Sequence, residues 1–377
     1  MSGLGGFLRR VRALAHKEMI HVVRDIRIVY LALGLPVVLL ALFGYAVSFD
    51  LERLPLGLVD QDRTPASRRL AEAMTASDAF EVAVRLGDPS ECEPYFRRGE
   101  LKVALVIPPD FGRHLARGER AEAQLLLDGA DGTTTSIALG YAMGISQAET
   151  QRMLEQSGLV LRPAILDRVR VRFNPGMRSS RFIVPGLIAV ILAIMAVLLT
   201  ALTVAREWER GSMEQLFATP VRRLEVIVGK LLPYVALGLV QVLLVVTLGA
   251  WLFGVPIAGS LGLLFLAALL FLIAMLGQGL LISVATRNQQ VATQVGFVSS
   301  LLPALLLSGF LFPIENMPRL LQILSLAIPA RYFIVVLRGV LLKGNDLAVL
   351  WPQFAALTAF ALVMIGLSTA RFRRRLD

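Results

Sequence analysis

Long apolar runs alternate along this chain with one extended stretch in which charge returns every few residues. The run from Ile28 to Phe49 is uncharged. It is long enough to cross a bilayer, for which about 20 apolar residues suffice, and longer than a signal-peptide core. A second such run extends from Phe182 to Ala205. A very long one from Leu231 to Thr286 is broken at Gly254-Val255-Pro256 and Gly259-Ser260, which makes it a tight hairpin of two spans. Two more cover Val291 to Phe312 and Leu347 to Ala370. Helices satisfy their own backbone hydrogen bonds in lipid, so the pattern predicts an α-helical membrane protein with six transmembrane helices.

Between the first two spans, over residues 50–181, apolar residues gather in short strand-like runs. These are Leu56 to Val59, Val82 to Val84, Val103 to Ile107 and Leu125 to Leu127, with helix-like stretches between them. Asp60-Gln61-Asp62 before Thr64-Pro65, and Pro108-Pro109-Asp110, read as strand ends followed by helix starts. A helix from Ser136 to Gln156 and a last strand near Val169 to Phe173 complete a large α/β domain.

Ahead of the first span, Leu4, Phe7, Leu8, Val11, Leu14 and Ala15 recur at helical spacing among Arg9, Arg10, Arg12 and Lys17. This predicts an amphipathic interfacial helix over residues 1–27, with Glu18 as a flaw in its apolar stripe. The organisation is then an interfacial helix (1–27), the first span (28–49), an α/β domain (50–181) and a transmembrane domain (182–377).

Composition strengthens the membrane assignment. Hydrophobic residues make up 56%, charged residues 18%, and mean hydropathy is +0.67, outside the range of a soluble globular domain. The net charge of +10 sits beside apolar runs, not on a soluble face, which argues against nucleic acid as a partner. It does set an orientation. Segments 1–27, 206–230, 287 and 371–377 carry 16 Lys and Arg against 7 Asp and Glu, while the opposite side carries 22 against 21. The positive-inside rule places both termini in the cytoplasm and the α/β domain in the periplasm. Trp208, Trp251 and Trp351 fall at span ends, where an aromatic belt belongs.

Catalytic chemistry is hard to assemble. Asp60, Asp62, Asp128 and Asp131 follow predicted strands, where caps and turn formers are commoner than catalytic groups. His114 has no nucleophile partner in view, and His16 and His21 diverge around a helix. The single cysteine, Cys92, excludes an intramolecular disulfide. No catalytic, cofactor-binding or metal site is expected. Gly229-Lys230 lacks the flanking glycine and hydroxyl of a phosphate-binding loop, because Leu224 and Leu231 stand there, and reads as a plain interfacial pair.

The segment Arg206 to Pro220 carries Met213, Leu216 and Phe217 on one helical face, with Glu214 and Gln215 turned outward. A helix over residues 207–217, including Glu207, Trp208 and Arg210, can lie on the membrane surface and offer that face to a cytoplasmic partner. Here the chain resembles the type-2 ABC exporter permeases, in their drug and antibiotic efflux branch. The resemblance covers essentially the whole chain. It rests on Glu207-Trp208-Glu209-Arg210-Gly211-Ser212-Met213-Glu214-Gln215-Leu216, Thr219-Pro220-Val221-Arg222, Gly229-Lys230-Leu231-Leu232, Ser308-Gly309-Phe310-Leu311-Phe312-Pro313 with Met317-Pro318, and Leu337-Arg338-Gly339, and within the α/β domain on Val59-Asp60-Gln61-Asp62 and Ile107-Pro108-Pro109-Asp110-Phe111.

That resemblance implies a half-transporter of the bacterial inner membrane, in which two permeases, identical or paralogous, form the path. ATP and Mg would be bound by a separate ATPase docked on the coupling helix 207–217. Residues 315–343 would form a re-entrant outer helix pair. Arg331 and Arg338, seven apart, would face water or headgroups. Gln241, Gln278, Gln294, Ser299 and Ser300 are candidates for path lining or helix-to-helix contact, the latter weighted more heavily. The cargo would be amphipathic, drug-like or lipid-like, and a periplasmic adaptor is an open option. Two alternatives are a receptor or scaffold presenting the periplasmic domain, and a secondary transporter. The second usually buries ionisable residues within its spans, and these apolar runs hold none.

Overall fold

The computed structural model describes residues 4–46, 53–77, 79–130, 132–156, 172–174, 178–211 and 221–372. The chain is mostly helical and divides into two compact units, Phe49–Val169 and the remainder on either side of it.

In the first unit, α1 (Leu4–Arg24) ends just before Asp25, whose carbonyl accepts from the Ile28 and Val29 amides at 2.9 and 3.2 Å. A short α2 (Ile26–Val29) passes through a π-helical turn (Tyr30–Gly34) into α3 (Leu35–Ala46). The predicted span 28–49 therefore meets a local widening of the helix, and its apolar helix is short, Tyr30–Tyr45. Residues 47–49 lie outside the described residues.

The long helices follow. These are α8 (Ser179–Glu209), α9 (Arg223–Phe253), α10 (Leu261–Thr286), α11 (Gln289–Leu306) and α14 (Leu347–Arg371). Four of them, α8, α9, α10 and α14, are long and apolar enough to cross a membrane. The run predicted from Val291 to Phe312 forms only 18 helical residues in α11, starting at Gln289-Gln290 and stopping at Leu306, so it falls short of that standard. Helix α8 is buried along almost its whole apolar length and packs against α9, α10 and α11. Gly279 of α10 allows the closest crossing: a Cβ there would run into Thr200 Oγ1 and the Val197 carbonyl. The Thr200 hydroxyl donates to the Leu276 carbonyl at 2.9 Å, one polar contact between these helices inside an apolar core.

Between α11 and α14, α12 (Arg319–Ser325) and α13 (Pro329–Arg338) are bent by 83° at Leu326–Ile328, and α13 continues as a π-helical turn to Lys343. Pro329 stands at the first turn of α13, where a missing N–H costs nothing.

The second unit holds a four-stranded sheet, β1 (Leu54–Asp60), β2 (Phe80–Leu86), β3 (Val103–Ile107) and β4 (Gln124–Leu127), in the order β2-β1-β3-β4. The β1–β2 and β1–β3 pairs are parallel and β3–β4 is antiparallel. All five residues of β3 are buried, as a central strand covered on both faces requires. One face carries a core of Leu56, Leu58, Leu105 and Ile107 with Met74 of α4 (Pro65–Ala76) and Ala138 and Ala142 of α7 (Gly132–Gln156). The opposite face packs Val59, Ala104 and Val106 on Cys92 of α5 (Cys92–Arg97). Helix α6 (Phe111–Ala116) follows β3. The strand predicted at Val169 to Phe173 lies mostly outside the described residues, and Arg172–Asn174 are not strand.

Candidate functional site

Among the described residues, the strongest concentration of buried charge lies where α1, the C-terminal end of α8 and the N-terminal end of α9 meet. On α1, Val11, Ala15, Glu18 and Val22 fall on one buried stripe at helical spacing. Glu18 is thus a carboxylate in a row that packing has taken out of water, at 4% exposure. Such a group needs a cation. Lys230, 3% exposed on α9, donates its Nζ to Glu18 Oε1 at 3.0 Å and also binds Glu207 Oε2 of α8. Lys17 Nζ lies 4.0 Å from both carboxylates.

One turn earlier on α9, Arg10 grips buried Glu225 through two bonds of 2.8 and 2.6 Å, and Glu225 also accepts from the Arg222 amide at 2.8 Å. The hydrogen bond to Glu225 raises Arg10 above its ordinary value. Between the two ion pairs sits Gly229, where a Cβ would come 2.7 Å from Leu14 Cβ, so the α9 backbone lies directly against Leu14 of α1. Beyond α1, Asp25 meets Arg206 of α8 at 3.5 Å. A cleft of about 250 Å³ opens here, lined by Lys17, His21, Arg206, Arg210, Lys230 and Tyr234 among others.

Glu207, Trp208 and Arg210 close this end of the unit, with the Arg287 guanidinium 4.9 Å from the Trp208 ring and Phe372 edge-on to it at 6.4 Å. In the structure Glu207–Glu209 continue α8, and Gly211 turns the chain with φ +69°. Met213, Glu214, Leu216 and Phe217 lie outside the described residues. Glu18 and Lys230 were absent from the expected site. The signal for Glu18 was its place on the apolar stripe. Gly229-Lys230 is not a plain interfacial pair, and the helix that contains Glu225 and Lys230 begins at Arg223, ahead of the apolar run.

The polar candidates inside the bundle separate. Gln278 of α10 donates to Ser299 of α11 at 3.3 Å, a contact between helices. Ser300 is buried and donates back to the Gly296 carbonyl of its own helix at 2.7 Å. Gln241 is buried on α9 and its amide nitrogen finds no partner among the described residues, whereas Gln294 is exposed on α11.

At the α13 end, Arg331 and Arg338, expected to face water or headgroups, are both half-buried and spend guanidinium donors on the protein itself. Arg338 turns inward, donating to the Gly309 carbonyl at 3.0 Å and the Phe182 and Phe310 carbonyls at 3.4 Å, with its guanidinium 3.7 Å from the Phe182 ring. Those carbonyls at Gly309 and Phe310 follow the end of α11, where no helical N–H remains to serve them. Arg331 donates to Ser325 Oγ at 2.5 Å and the Gln322 carbonyl at 3.3 Å, closing the bend between α12 and α13.

In the α/β unit the carboxylates form caps and turns. Asp60 accepts from the Asp62 and Arg63 amides and from the Ser67 hydroxyl, at 3.1, 2.9 and 2.8 Å. Asp62 Oδ2 accepts from Thr64 Oγ1 at 2.5 Å and from the Gly112 amide at 2.9 Å, joining the starts of α4 and α6. Asp128 pairs with Lys102 at 2.7 Å. His114 is exposed, and Asp131 lies outside the described residues. Among the described residues no cluster of His, Cys, Asp and Glu could hold a metal.

Comparison with known proteins identifies the family. Residues 27–370 match the family model described as ABC-2 family transporter protein. The chain is 38% identical over 370 residues to the Probable multidrug ABC transporter permease YbhS of Escherichia coli K12, covering 98% of each chain. It is 30% identical over 367 residues to the Probable multidrug ABC transporter permease YbhR of the same organism, covering 97% of this chain and 99% of that one. To the Inner membrane transport permease YhhJ it is 27% identical over 334 residues, 86% of each. With apolar helices long enough to cross a membrane and a family match over nearly its whole length, the chain belongs to the ABC-2 family of transporter proteins, as a transmembrane permease.

Proposed function

We propose that this permease exports amphipathic, drug-like or lipid-like molecules from the cytoplasm, as one half of a dimeric path powered by a separate ATPase. The observation that carries the reading is the full-length correspondence to permeases named for multidrug ABC transport. The ATPase would dock on residues 207–217, beside the buried ion pairs of α1, α8 and α9. In this reading α2–α3 and α11 join the four longer helices as spans, giving six. The bent pair α12–α13 dips into the outer leaflet as a re-entrant segment. The charge asymmetry across the spans supports a cytoplasmic position for both termini and a periplasmic one for the α/β unit.

Gentle purification of the protein in detergent, followed by mass spectrometry of what accompanies it, tests the reading. The expected result is a soluble ATPase with a phosphate-binding loop at about one copy per permease. Replacing Met213, Leu216 and Phe217 with Ser is expected to release it. Reproducible absence of an ATPase from a cross-linked, folded wild-type sample would overturn the assignment.

A further inference from the structure

Helices α8 and α9 are joined by the segment at 210–222, and both of its ends are tied to α1. On the α8 side, Glu207 meets Lys17 of α1 at 4.0 Å and Asp25, just past α1, meets Arg206 at 3.5 Å. On the α9 side, Arg10 holds Glu225 and Glu18 holds Lys230, three and eight residues beyond the segment. Lys230 joins all three elements, because its Nζ is shared by Glu18 of α1 and Glu207 of α8 while its backbone belongs to α9. Its burial removes the competition with water that makes surface ion pairs weak. Gly229 adds a steric fit on the same line of contact.

We propose that α1 is a clasp that fixes the separation of the two anchors of this segment, and that Lys230 is its positioning residue for energy coupling. A docked ATPase pushes on the segment between those anchors. If the anchors move independently, the push is dissipated in the segment; if they are locked through Lys230, it is delivered to α8 and α9 together. This role in coupling rests on the proposed docking of an ATPase at residues 207–217, whereas the clasp itself rests on the ion pairs alone.

The test uses two variants of the full chain, Lys230→Met and the neutral set Lys230→Met, Glu18→Gln, in which Glu207 of the proposed docking segment is left intact with Lys17 at 4.0 Å. The first leaves Glu18 and Glu207 with only the exposed Lys17, 4.0 Å away, and risks misfolding. The second removes the unpaired charge along with the tie, so its folding is protected. Spin labels at Arg210→Cys and Arg223→Cys, in a Cys92→Ser background, report the distance between the anchors in liposomes without any ATPase. The neutral set is expected to reach wild-type levels in the membrane yet show a broadened distance distribution. In cells its drug efflux is expected to fall about tenfold at unchanged ATPase recovery, a loss that a purely structural contact would not produce. A wild-type distance distribution in the neutral set overturns the clasp, and wild-type efflux overturns its role in coupling. Were wild-type efflux independent of any ATPase, the proposed function would fall, and the distance measurement would still decide the clasp.

Discussion

Asp60 in the α/β unit and Lys230 in the membrane unit are both held by several polar partners, but those partners are found in different places along the chain. The side-chain partner of Asp60 is Ser67, seven residues away, and its amide donors are closer still. Lys230 draws one carboxylate from 23 residues away and another from 212. Asp60 organises a turn that the chain makes anyway, half in water. Lys230 joins helices that arrive separately and seals a charge inside their contact. A local polar network shapes an element, whereas a long-range buried one fixes how elements stand to each other, and its loss has to be correspondingly larger.

The largest effect follows directly. Lys230→Met leaves Glu18 and Glu207 with only the largely exposed Lys17, 4.0 Å from each, and removing one partner of a buried ion pair costs about 3–5 kcal/mol. Thermal unfolding in detergent is expected to show a strong loss for Lys230→Met. Neutralising Glu18 and Glu207 as well should recover most of it. No recovery would mean that the charge pairing is incidental and that the packing of the lysine stem holds the helices.

Asp62→Ala sharpens the contrast from the other side. It removes the acceptor for Thr64 and for the Gly112 amide at the starts of α4 and α6, where water can reach the freed donors. The expected cost is about 1–2 kcal/mol, confined to the α/β unit. A cost equal to that of Lys230→Met in a full unfolding curve would erase the distinction between the two networks.

The same contrast explains what the amino-acid pattern reveals. Val103–Ile107 is a strand in both sequence and structure, because a short β-branched run between turn signals has few other uses. Thr64-Pro65 likewise marks a helix start that the structure caps through Thr64. Glu18 was visible as a charge on an apolar stripe, but its cation lies 212 residues away, and no local pattern points there. Arg338 misled for a related reason. A charged residue at an outer helix reads as water-facing until the end of α11 supplies carbonyls that need a donor. The 18 residues of α11 were longer in the pattern because Leu307, Leu311 and Phe312 extend the apolar run after the helix has stopped.

Cys92 offers the finest test, since it reports the α/β unit alone. The thiol is 1% exposed beneath Val59, Ala104 and Val106. Burial pushes it above its ordinary value, helped by the charges of Glu91 and Asp88. A thiol whose folded value is raised stabilises the fold fully below its unfolded value of about 8.5, and loses that contribution as pH rises through the folded value. Alkylation of the native protein at pH 8 should therefore be slow and limited by opening of the unit. Asp62→Ala is expected to speed that labelling about tenfold, in line with its local cost. Lys230→Met should leave it within about twofold, because additivity holds where sites share no partners. Equal acceleration by both variants would mean that the two units open as one, and that the buried ion pairs of α1, α8 and α9 also hold the sheet closed.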